Sequence, residues 1–327
     1  MFSIGKIKVP NRVVAAPLAG VTDRAGREMA RLFGCGLVYT EMISDMGLVY
    51  KQQRTLDLAS TSGESGLVAV QLFGSKPQAM AKAAGILQAM GAQLIDINMG
   101  CPTPKIVRHG EGAALMKDPV HARDLLRAVL DAVQVPVTVK IRKGWDENSV
   151  NYLEMALLAE EEGVSAVALH PRTRQEFFSG HSDWAAIKIL KGHLKVPVIG
   201  NGDIWCGADA VQMIEQTGCD AVMIGRGAMG NPFIYREAIA LLENKQTWPE
   251  PTLAERFQAA RRHLDLAVEY KGEYTAVREM RKHFAWYCKG MRGVARVRAA
   301  INQAGSRDEL LAALAFVTDL TPQCRSS

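Results

Sequence analysis

The chain lacks any run of apolar residues near the roughly 18 that a membrane-spanning helix needs. Its first twelve residues, MFSIGKIKVPNR, contain no apolar segment and no cleavage-like site, so a secretory signal is not expected. The sequence therefore predicts a cytoplasmic protein without membrane association. Hydrophobic residues make up 48% of the chain, which is ample material for a globular core.

The cysteines are few and far apart, and no two of them form a C-x-x-C pair. The usual spacing of a zinc site is therefore absent, no disulfide framework is indicated, and no metal is expected. For all but Cys101, a small thiol that only packs is the expectation. These other cysteines are Cys35, Cys206, Cys219, Cys288 and Cys324.

Excess charge of either sign is lacking in residues 1–244, which hold 25 Lys and Arg against 25 Asp and Glu. The formal net charge of +5 comes entirely from residues 245–327, which hold 14 Lys and Arg against 9 Asp and Glu. This asymmetry favours a polyanionic partner for the last quarter of the chain.

Eight short, β-branched apolar runs alternate with helical patterns through the first three quarters of the chain. Strands with near-continuous hydrophobic residues are typical of a parallel sheet that is covered on both faces. Eight strand–helix units favour an α/β fold of the closed (β/α)8 TIM-barrel type over an open sheet. The predicted strands are residues 12–17, 36–41, 67–72, 94–98, 136–141, 166–170, 196–200 and 221–225.

The strand pattern stops near residue 245. The run TWPEP has the prolines of a linker, and Thr252 with Glu255 forms a capping-box signature at the start of a helix. The sequence predicts two domains, a barrel over residues 1–244 and a small helical bundle over residues 245–327. The predicted helices of the bundle are residues 252–270, 274–289, 292–304 and 306–317.

The active site of a parallel barrel is built at the carboxyl ends of its strands. In this sequence most of those positions carry polar side chains that can contact a flat, hydrogen-bonding ligand. A purely structural barrel would not need so many of them. The residues at the predicted strand ends are Pro17, Glu41, Gln71, Asn98, Lys140, His170, Asn201 and Gly225.

Two reactive side chains follow strands four and five. Cys101 lies in the turn NMGCP, where Pro102 stiffens the backbone, and this position favours a functional thiol over a buried packing cysteine. Lys140 stands at a strand end where a lysine suits an anionic group such as a reduced cofactor. An ion pair with a neighbouring carboxylate is the alternative for this lysine.

The run IGRGAMGNP contains G-x-G-x-x-G at Gly225, Gly227 and Gly230. A dinucleotide-binding fingerprint is disfavoured, because no later strand carries the ribose-binding acid expected about 20 residues further on. The position after strand eight favours instead the phosphate site that barrels build from their last two loops. Arg226 would supply charge there, and a helix amino terminus near Pro232 would add its dipole. A phosphate at this place suits FMN better than NAD.

Several runs resemble the tRNA-dihydrouridine synthase family, and its bacterial B-type subgroup most of all. Together the runs span nearly the whole chain, and DINMGCP is the most specific of them. Leu18 and Pro171 depart from the family pattern, which usually has Met at the first position and Gly or Ala at the second. The runs are AAPLAGVTDRAGR, VQLFG, DINMGCPTPK, KIRKGWD, HPRTR, NGDI and MIGRGAMGNP.

The resemblance implies an FMN-dependent enzyme that reduces selected uridines in tRNA to 5,6-dihydrouridine with NADPH. It implies that Cys101 is the proton donor and that Asn98 and Arg174 contact the substrate. No separate nicotinamide domain is evident, so NADPH is expected at the same flavin face as the tRNA. The implied FMN contacts are Ala16, Pro17, Leu18, Gln71, Lys140, His170, Asn201, Gly202, Asp203, Gly225 and Arg226.

The chemistry of uracil is consistent with this assignment. Hydride from N5 of reduced FMN adds at C6 and leaves an enolate-like charge toward C5 and O4, which a positioned acid must protonate at C5. A thiol is protonated at neutral pH and can donate, whereas a serine hydroxyl is a far weaker acid. Lys140 near N1 and O2 of the flavin would stabilise its anionic reduced form.

The segment 278–298 carries seven basic residues against one acidic residue. Because Arg and Lys neutralise phosphates, Arg281, Lys282, Arg292 and Arg296 are expected to grip tRNA, with a merely solvated face as the alternative. Nearby aromatics could stack on bases or pack against the barrel.

The protein is expected to act as a monomer.

Two other functions remain open at the level of sequence. A flavin barrel that oxidises or reduces a free pyrimidine, such as dihydroorotate, would share most of the strand-end residues but would not need a basic helical domain. A non-catalytic tRNA-binding protein on an inherited barrel would not need Cys101, Lys140 or the glycine loop.

Overall fold

The part of the chain that the computed structural model describes consists of residues 1–244, 246–291 and 294–317. The chain begins with a β-hairpin that the sequence did not predict, because strands of three residues are too short to show a pattern. β1 (Phe2–Ile4) and β2 (Ile7–Val9) pair antiparallel around a turn in which Gly5 has φ +53°. Ile4 and Val9 are buried inside the barrel, so the hairpin closes the end opposite the carboxyl-terminal mouth.

The predicted (β/α)8 barrel is confirmed, and each of its eight predicted strands is present. In chain order the strands are β3 (Val13–Ala15), β4 (Val38–Tyr39), the short additional β5 (Ile43–Ser44), β6 (Val68–Phe73), β7 (Leu94–Met99), β8 (Val137–Arg142), β9 (Ala166–His170), β10 (Val198–Asn201) and β11 (Ala221–Ile224). Paired strands of the barrel run parallel, and β11 pairs with β3. The ring closes between β3 and β4, where the backbone N–H of Ala15 donates to the carbonyl oxygen of Leu37 over 2.9 Å.

The helices of the barrel begin and end at residues that explain their limits. Asp118 accepts a hydrogen bond from the N–H of His121 at the start of the sixth helix, and Gly163 and Gly218 end the seventh and ninth in the left-handed conformation. The helices are α1 (Arg24–Leu32), α2 (Asp45–Val49), α3 (Gln53–Ala59), α4 (Pro77–Ala89), α5 (Pro104–Val107), α6 (Pro119–Ala132), α7 (Tyr152–Glu162), α8 (Trp184–His193), α9 (Gly207–Thr217) and α10 (Phe233–Ile239).

Two layers of apolar side chains fix the barrel. The outer layer lies between the strands and the helices, and the inner layer fills the ring with small and branched residues such as Val14, Ala69, Ala168 and Ile199. Because the interior is packed and the hairpin covers its lower end, the barrel is open to a ligand at its mouth.

Four further α-helices follow the barrel in the described residues 246–291 and 294–317. They are α11 (Leu253–Lys271), α12 (Glu273–Tyr287), α13 (Val294–Gln303) and α14 (Arg307–Ala313). The predicted capping box is present, since the N–H of Glu255 donates to Thr252 Oγ1 over 3.3 Å and the N–H of Thr252 donates to Glu255 Oε2 over 2.8 Å. These helices share a hydrophobic core with Ala25 and Met29 of α1 and with Phe233 of α10. The bundle is therefore packed onto one side of the barrel.

Polar contacts from the bundle also hold the loop after β3. His283 Nε2 donates to the carbonyl oxygen of Gly20 over 3.2 Å, and Lys271 Nζ lies 2.5 Å from Asp23 Oδ2. Asp23 in turn accepts from the N–H of Gly26 over 2.8 Å and so caps α1. We name residues 17–23 the clasped loop. The loop begins at the barrel mouth, and the bundle contacts it at Gly20 and Asp23.

Candidate functional site

A cavity of about 250 Å³ opens at the carboxyl ends of the strands. All the residues predicted to contact a cofactor line it, as do Cys101 and Asn98. Glu41, the predicted strand-end residue after β4, does not line the cavity, and Met42 does so instead. The predicted residues that meet there are Ala16, Pro17, Leu18, Gln71, Lys140, His170, Asn201, Gly202, Asp203, Gly225 and Arg226.

A chain of hydrogen bonds forms the floor of the cavity. Gln71 Nε2 donates to Asp96 Oδ2 over 2.7 Å, and Asn98 Nδ2 donates to Gln71 Oε1 over 2.8 Å. The other oxygen of Asp96 accepts from Thr138 Oγ1 over 2.6 Å. Burial raises the pKa of Asp96 to about 7, although the hydrogen bonds from Gln71 and Thr138 oppose the rise. Sequence reasoning missed Asp96, whose signal was an acidic residue inside an apolar strand.

The turn that carries Cys101 is held by the same chain. Asn98 Oδ1 accepts from the backbone N–H of Cys101 over 2.9 Å and of Gly100 over 3.1 Å. The carbonyl oxygen of Cys101 accepts from the N–H of Ala113 over 3.0 Å. At Gly112, where φ is +60°, a Cβ atom would lie 2.9 Å from that carbonyl oxygen, so only glycine fits under the turn. The thiol of Cys101 is thus placed at the cavity by a rigid backbone.

Buried and half-buried cations surround the cavity. Burial and the neighbouring Arg142 together lower the pKa of Lys140 to about 8, while Asp96 opposes the change. Burial together with Lys140, Arg142 and other cations holds the pKa of His170 well below its usual value, so this ring is neutral at pH 7. Buried cations with few carboxylates beside them suit an anionic ligand.

Asp203 organises the other end of the cavity. Its carboxylate accepts from Arg172 over 3.0 and 2.7 Å and from the N–H of Ser182 over 2.7 Å, and Arg226 lies 3.3 Å away. Burial alone raises the pKa of Asp203, but the hydrogen bonds from Arg172 and Ser182 outweigh it and hold that pKa below its usual value. A Cβ atom on Gly202 would lie 2.2 Å from Ser182 Oγ, so the backbone approaches closely here. Asp203 therefore orients the cation Arg226 at the cavity wall.

Aromatic side chains form a rim that the sequence did not predict. Phe178 stacks on His170 with ring centroids 6.3 Å apart, and the Arg226 guanidinium lies 4.7 Å from the ring of Phe178 and 5.0 Å from that of Trp205. Phe177 has φ +57° and remains 40% exposed. The available signal was the pair of aromatic residues that begins three positions after the HPRTR run.

The residues predicted to contact the substrate do not all come together. Arg174 lies outside the cavity lining, with its guanidinium 4.8 Å from the ring centroid of Trp145. Arg281 donates to the carbonyl oxygen of Ala304 over 2.6 Å and so joins α12 to the end of α13. Lys282 and Arg296 are exposed, and Lys282 Nζ lies against Gly20 of the clasped loop. Arg292 lies outside the described residues.

Two of the three aromatic residues next to these cations are core residues, and the third, Trp286, is half-buried. Phe284 and Tyr287 are buried in the bundle, which favours packing over base stacking. Among residues 1–244, 246–291 and 294–317, no group of three or more His, Cys, Asp or Glu side chains is placed to hold a metal ion. In the same part of the chain, no helix combines the length and apolarity needed to cross a membrane.

Fold and site together define a barrel with a polar, cation-lined cavity and a cysteine at its mouth. The family model described as Dihydrouridine synthase (Dus) matches residues 13–321. The chain is 40% identical over 313 residues to the tRNA-dihydrouridine synthase B of Vibrio cholerae, covering 96% of this chain and 97% of that protein. It is 38% identical over 303 residues to a probable tRNA-dihydrouridine synthase of Rickettsia conorii, covering 92% of each. This chain belongs to the dihydrouridine synthase family.

A solved structure shares the fold alone. The 6-hydroxypseudooxynicotine amine oxidase of Pseudomonas geniculata N1 superposes with a TM-score of 0.58 at 14% identity, over 74% of this chain and 49% of that one. The barrel architecture is therefore shared with a protein of very different sequence.

Proposed function

We propose that this protein reduces selected uridines of tRNA to 5,6-dihydrouridine, with FMN bound in the barrel cavity and NADPH as the reductant. The observation that carries the proposal is the convergence of Cys101 with the polar strand-end residues on one cavity. Membership of the dihydrouridine synthase family and the names of its tRNA-modifying relatives support the choice of reaction.

The residues of the cavity fit FMN. Arg226 and the glycine backbone around Gly202 and Gly225 suit its phosphate, and Gln71 and Lys140 suit the hydrogen-bonding edge of its ring. When bound, FMN supplies hydride for C6 of uracil. Lys140 lines the cavity and is the side chain that would stabilise negative charge on the reduced ring.

Cys101 is the residue we assign to proton donation at C5. Its turn is fixed from below by Asn98 and from the side by Ala113, so the thiol is held in position before the substrate arrives. A positioned acid of this kind contributes typically 10²–10⁴-fold to a reaction rate. Neutral His170 does not compete for this role, because its ring carries no extra proton at pH 7.

Residues 1–244 are proposed to carry out the chemistry and residues 245–327 to grip tRNA. Lys282 and Arg296 present exposed cations on α12 and α13, as phosphate contacts require. Lys282 reaches the clasped loop at the edge of the barrel mouth, so RNA bound there would lie beside the cavity. We further propose that the protein works as a cytoplasmic monomer.

The experiment is a reconstitution with unmodified tRNA. The purified protein should be yellow, with about one FMN per chain, and should form dihydrouridine, detected by nucleoside mass spectrometry, when NADPH is added. Transfer RNA that already carries the modification and free uridine are the controls. A protein that neither contains nor takes up flavin would overturn the proposal. Turnover of a free pyrimidine in the absence of tRNA would favour the small-molecule oxidoreductase instead.

A further inference from the structure

The hydrogen bonds on the cavity floor run in one direction, and chemistry fixes that direction. A backbone N–H can only donate, so the atom of Asn98 that faces Gly100 and Cys101 has to be its oxygen. The amide nitrogen of Asn98 therefore faces Gln71, and the atom of Gln71 that meets it has to be oxygen. The nitrogen of Gln71 is left to face Asp96.

Asp96 is the fixed acceptor at the end of this chain. It is fully buried, and one of its oxygens receives the hydrogen bond from Gln71. Its other oxygen faces Thr138 Oγ1. If the carboxyl group takes up a proton, the proton can sit on the Thr138 side, because a hydroxyl can also accept. The oxygen that faces Gln71 stays an acceptor in either state, so the direction does not change.

The direction decides what Asn98 can offer to a ligand. A side-chain amide has two acceptor sites and two donor hydrogens. Both acceptor sites of Asn98 are used by Gly100 and Cys101, and one of its hydrogens is used by Gln71. Since Asn98 lines the cavity, it presents one N–H donor and no acceptor to whatever binds there.

We propose that Asp96 is a positioning residue which, through Gln71, fixes Asn98 as a hydrogen-bond donor toward the cavity, and that this donor selects a base with a carbonyl group over one with an amino group. The inference rests on the proposed function and adds a basis for specificity. Uracil carries an oxygen acceptor at position 4, whereas cytosine carries an amino donor at that position. Asn98 adjoins Cys101, the assigned donor to C5, and C5 is bonded to C4. A cytosine in the same place would bring its amino donor against the N–H donor of Asn98.

The first test exchanges the donor for an acceptor with Asn98→Asp. The carboxylate still accepts from Gly100 and Cys101 but has no N–H for the base. Pre-reduced holoenzyme would be reacted in single turnover with tRNA transcripts that carry either uridine or cytidine at the target position. We expect the preference for uridine over cytidine to fall by about 10-fold or more relative to the parent protein. An unchanged preference would overturn the proposal.

The second test asks whether residues 96 and 98 communicate through Gln71, and it needs neither tRNA nor NADPH. In Asn98→Asp, Gln71 has to turn its amide to donate to the new carboxylate, which sets its carbonyl oxygen against Asp96. Adding Asp96→Asn relieves that conflict, because the new amide donates to Gln71 and its oxygen accepts from Thr138. Asn98→Asp with Thr138→Val is the matched control, since it removes a neighbouring hydrogen bond but keeps the carboxylate at position 96.

Thermal unfolding of the holoproteins at pH 8.5 supplies the readout, because Asp96, with its pKa of about 7, is then ionised. Asn98→Asp should lower Tm by about 2–4 °C, and adding Asp96→Asn should recover at least about half of that loss. The Thr138→Val control should recover none of it. A double variant at 96 and 98 that is no more stable than Asn98→Asp would overturn the directed chain. If the parent protein makes no dihydrouridine, the proposed function fails, while this cycle still decides whether Asp96 fixes the orientation of Asn98 through Gln71.

Discussion

The barrel mouth and the surface of the C-terminal helices both present positive charge, but they hold it in different ways. At the mouth, Arg142 is buried and Lys140 is half-buried against the cavity, and burial lowers their pKa values to about 10 and about 8, respectively. Arg142 is fixed further by hydrogen bonds to the carbonyl oxygens of Gly100, Thr173 and Phe177. On the helices, Lys282 and Arg296 are exposed to solvent.

The difference indicates two kinds of anion. Buried, fixed cations suit a small ligand that always binds in the same place, because the cost of desolvation is met once by precise pairing. Exposed cations on long side chains suit a polyanion, whose binding depends on counterion release and on salt. On the proposed function, the same charge would serve a cofactor in one region and RNA in the other. The predictions below test that division.

The largest effect is expected at the mouth, for Cys101→Ala. The change removes the assigned acid but no assigned FMN contact, so FMN should stay bound and NADPH should still reduce it. Dihydrouridine formation should fall by about 10²–10⁴-fold in single-turnover assays. Cys101→Ser should be nearly as slow, because a hydroxyl is a far weaker acid. Product formation at the parent rate would show that water or another side chain donates the proton.

The next largest expected effect is a loss of folding stability at acidic pH, caused by histidines near the contact between the barrel and the C-terminal helices. Burial lowers the pKa of His263 to about 4, and burial together with His263 lowers that of His283, which faces Asp23 and Lys282. These rings take up protons more readily in the unfolded chain than in the folded one. Their contribution to the free energy of unfolding should therefore be fully present above about pH 6.5 and should fall as the pH drops toward 4. His263 alone accounts for at most about 3 kcal/mol of this loss.

Chemical denaturation between pH 7 and pH 4 checks this dependence. His263→Asn and His283→Gln keep a polar atom for Tyr287 and for the carbonyl oxygen of Gly20, respectively, but do not titrate. Each variant should therefore lose less stability on acidification than the parent does. Parallel curves for parent and variants would assign the acid sensitivity to other groups.

A smaller effect is expected for tRNA binding by the exposed cations. Replacing Lys282 and Arg296 together with Ala should weaken tRNA binding and flatten its salt dependence by up to about 0.9 per lost phosphate contact. The matched control replaces Lys6 and Lys8, which are exposed on the hairpin at the closed end of the barrel. Flavin content should be unchanged in both. Equal binding by both double variants would leave Lys282 and Arg296 as a solvated surface.

The smallest effect is expected at Arg281, which the sequence grouped with those cations. Its guanidinium donates to the carbonyl oxygen of Ala304, so Arg281→Ala should lower the free energy of unfolding by about 1 kcal/mol. Urea denaturation measures that loss, and the salt slope of tRNA binding should remain that of the parent. A reduced slope with unchanged stability would return Arg281 to the RNA-binding surface.

Patterns of local residues were sufficient for the barrel and for much of the lining of its cavity. The carboxyl ends of parallel strands meet by construction, so residues as distant as Gln71 and Arg226 could be assigned to one site from strand ends alone. Asp96 and the aromatic rim could not be assigned in this way. A buried acid in a strand can either end a chain of hydrogen bonds or lack partners. Which of the two applies to Asp96 depends on side chains from other strands, here Gln71 and Thr138.

For the basic helices, local residue patterns were not sufficient to assign a role to each side chain. Arg281 and Lys282 are adjacent in sequence and equal in charge, yet one side chain turns inward to a carbonyl oxygen while the other stays exposed. Their place in one basic segment assigned both to the RNA-binding surface, but it does not reveal where the neighbouring helix ends. That information comes only from the packing of α12 against α13.

The clasped loop has a consequence for anyone who wishes to recombine members of this family. A chimera cut at the linker after residue 245 would separate His283 and Lys271 from Gly20 and Asp23, which they hold across the junction. Grafting foreign helices onto this barrel would therefore alter the backbone just beyond Pro17 and Leu18 in the cavity wall, even though no barrel residue had been changed. An exchange that preserves the cavity would have to transfer the clasped loop together with Lys271 and His283.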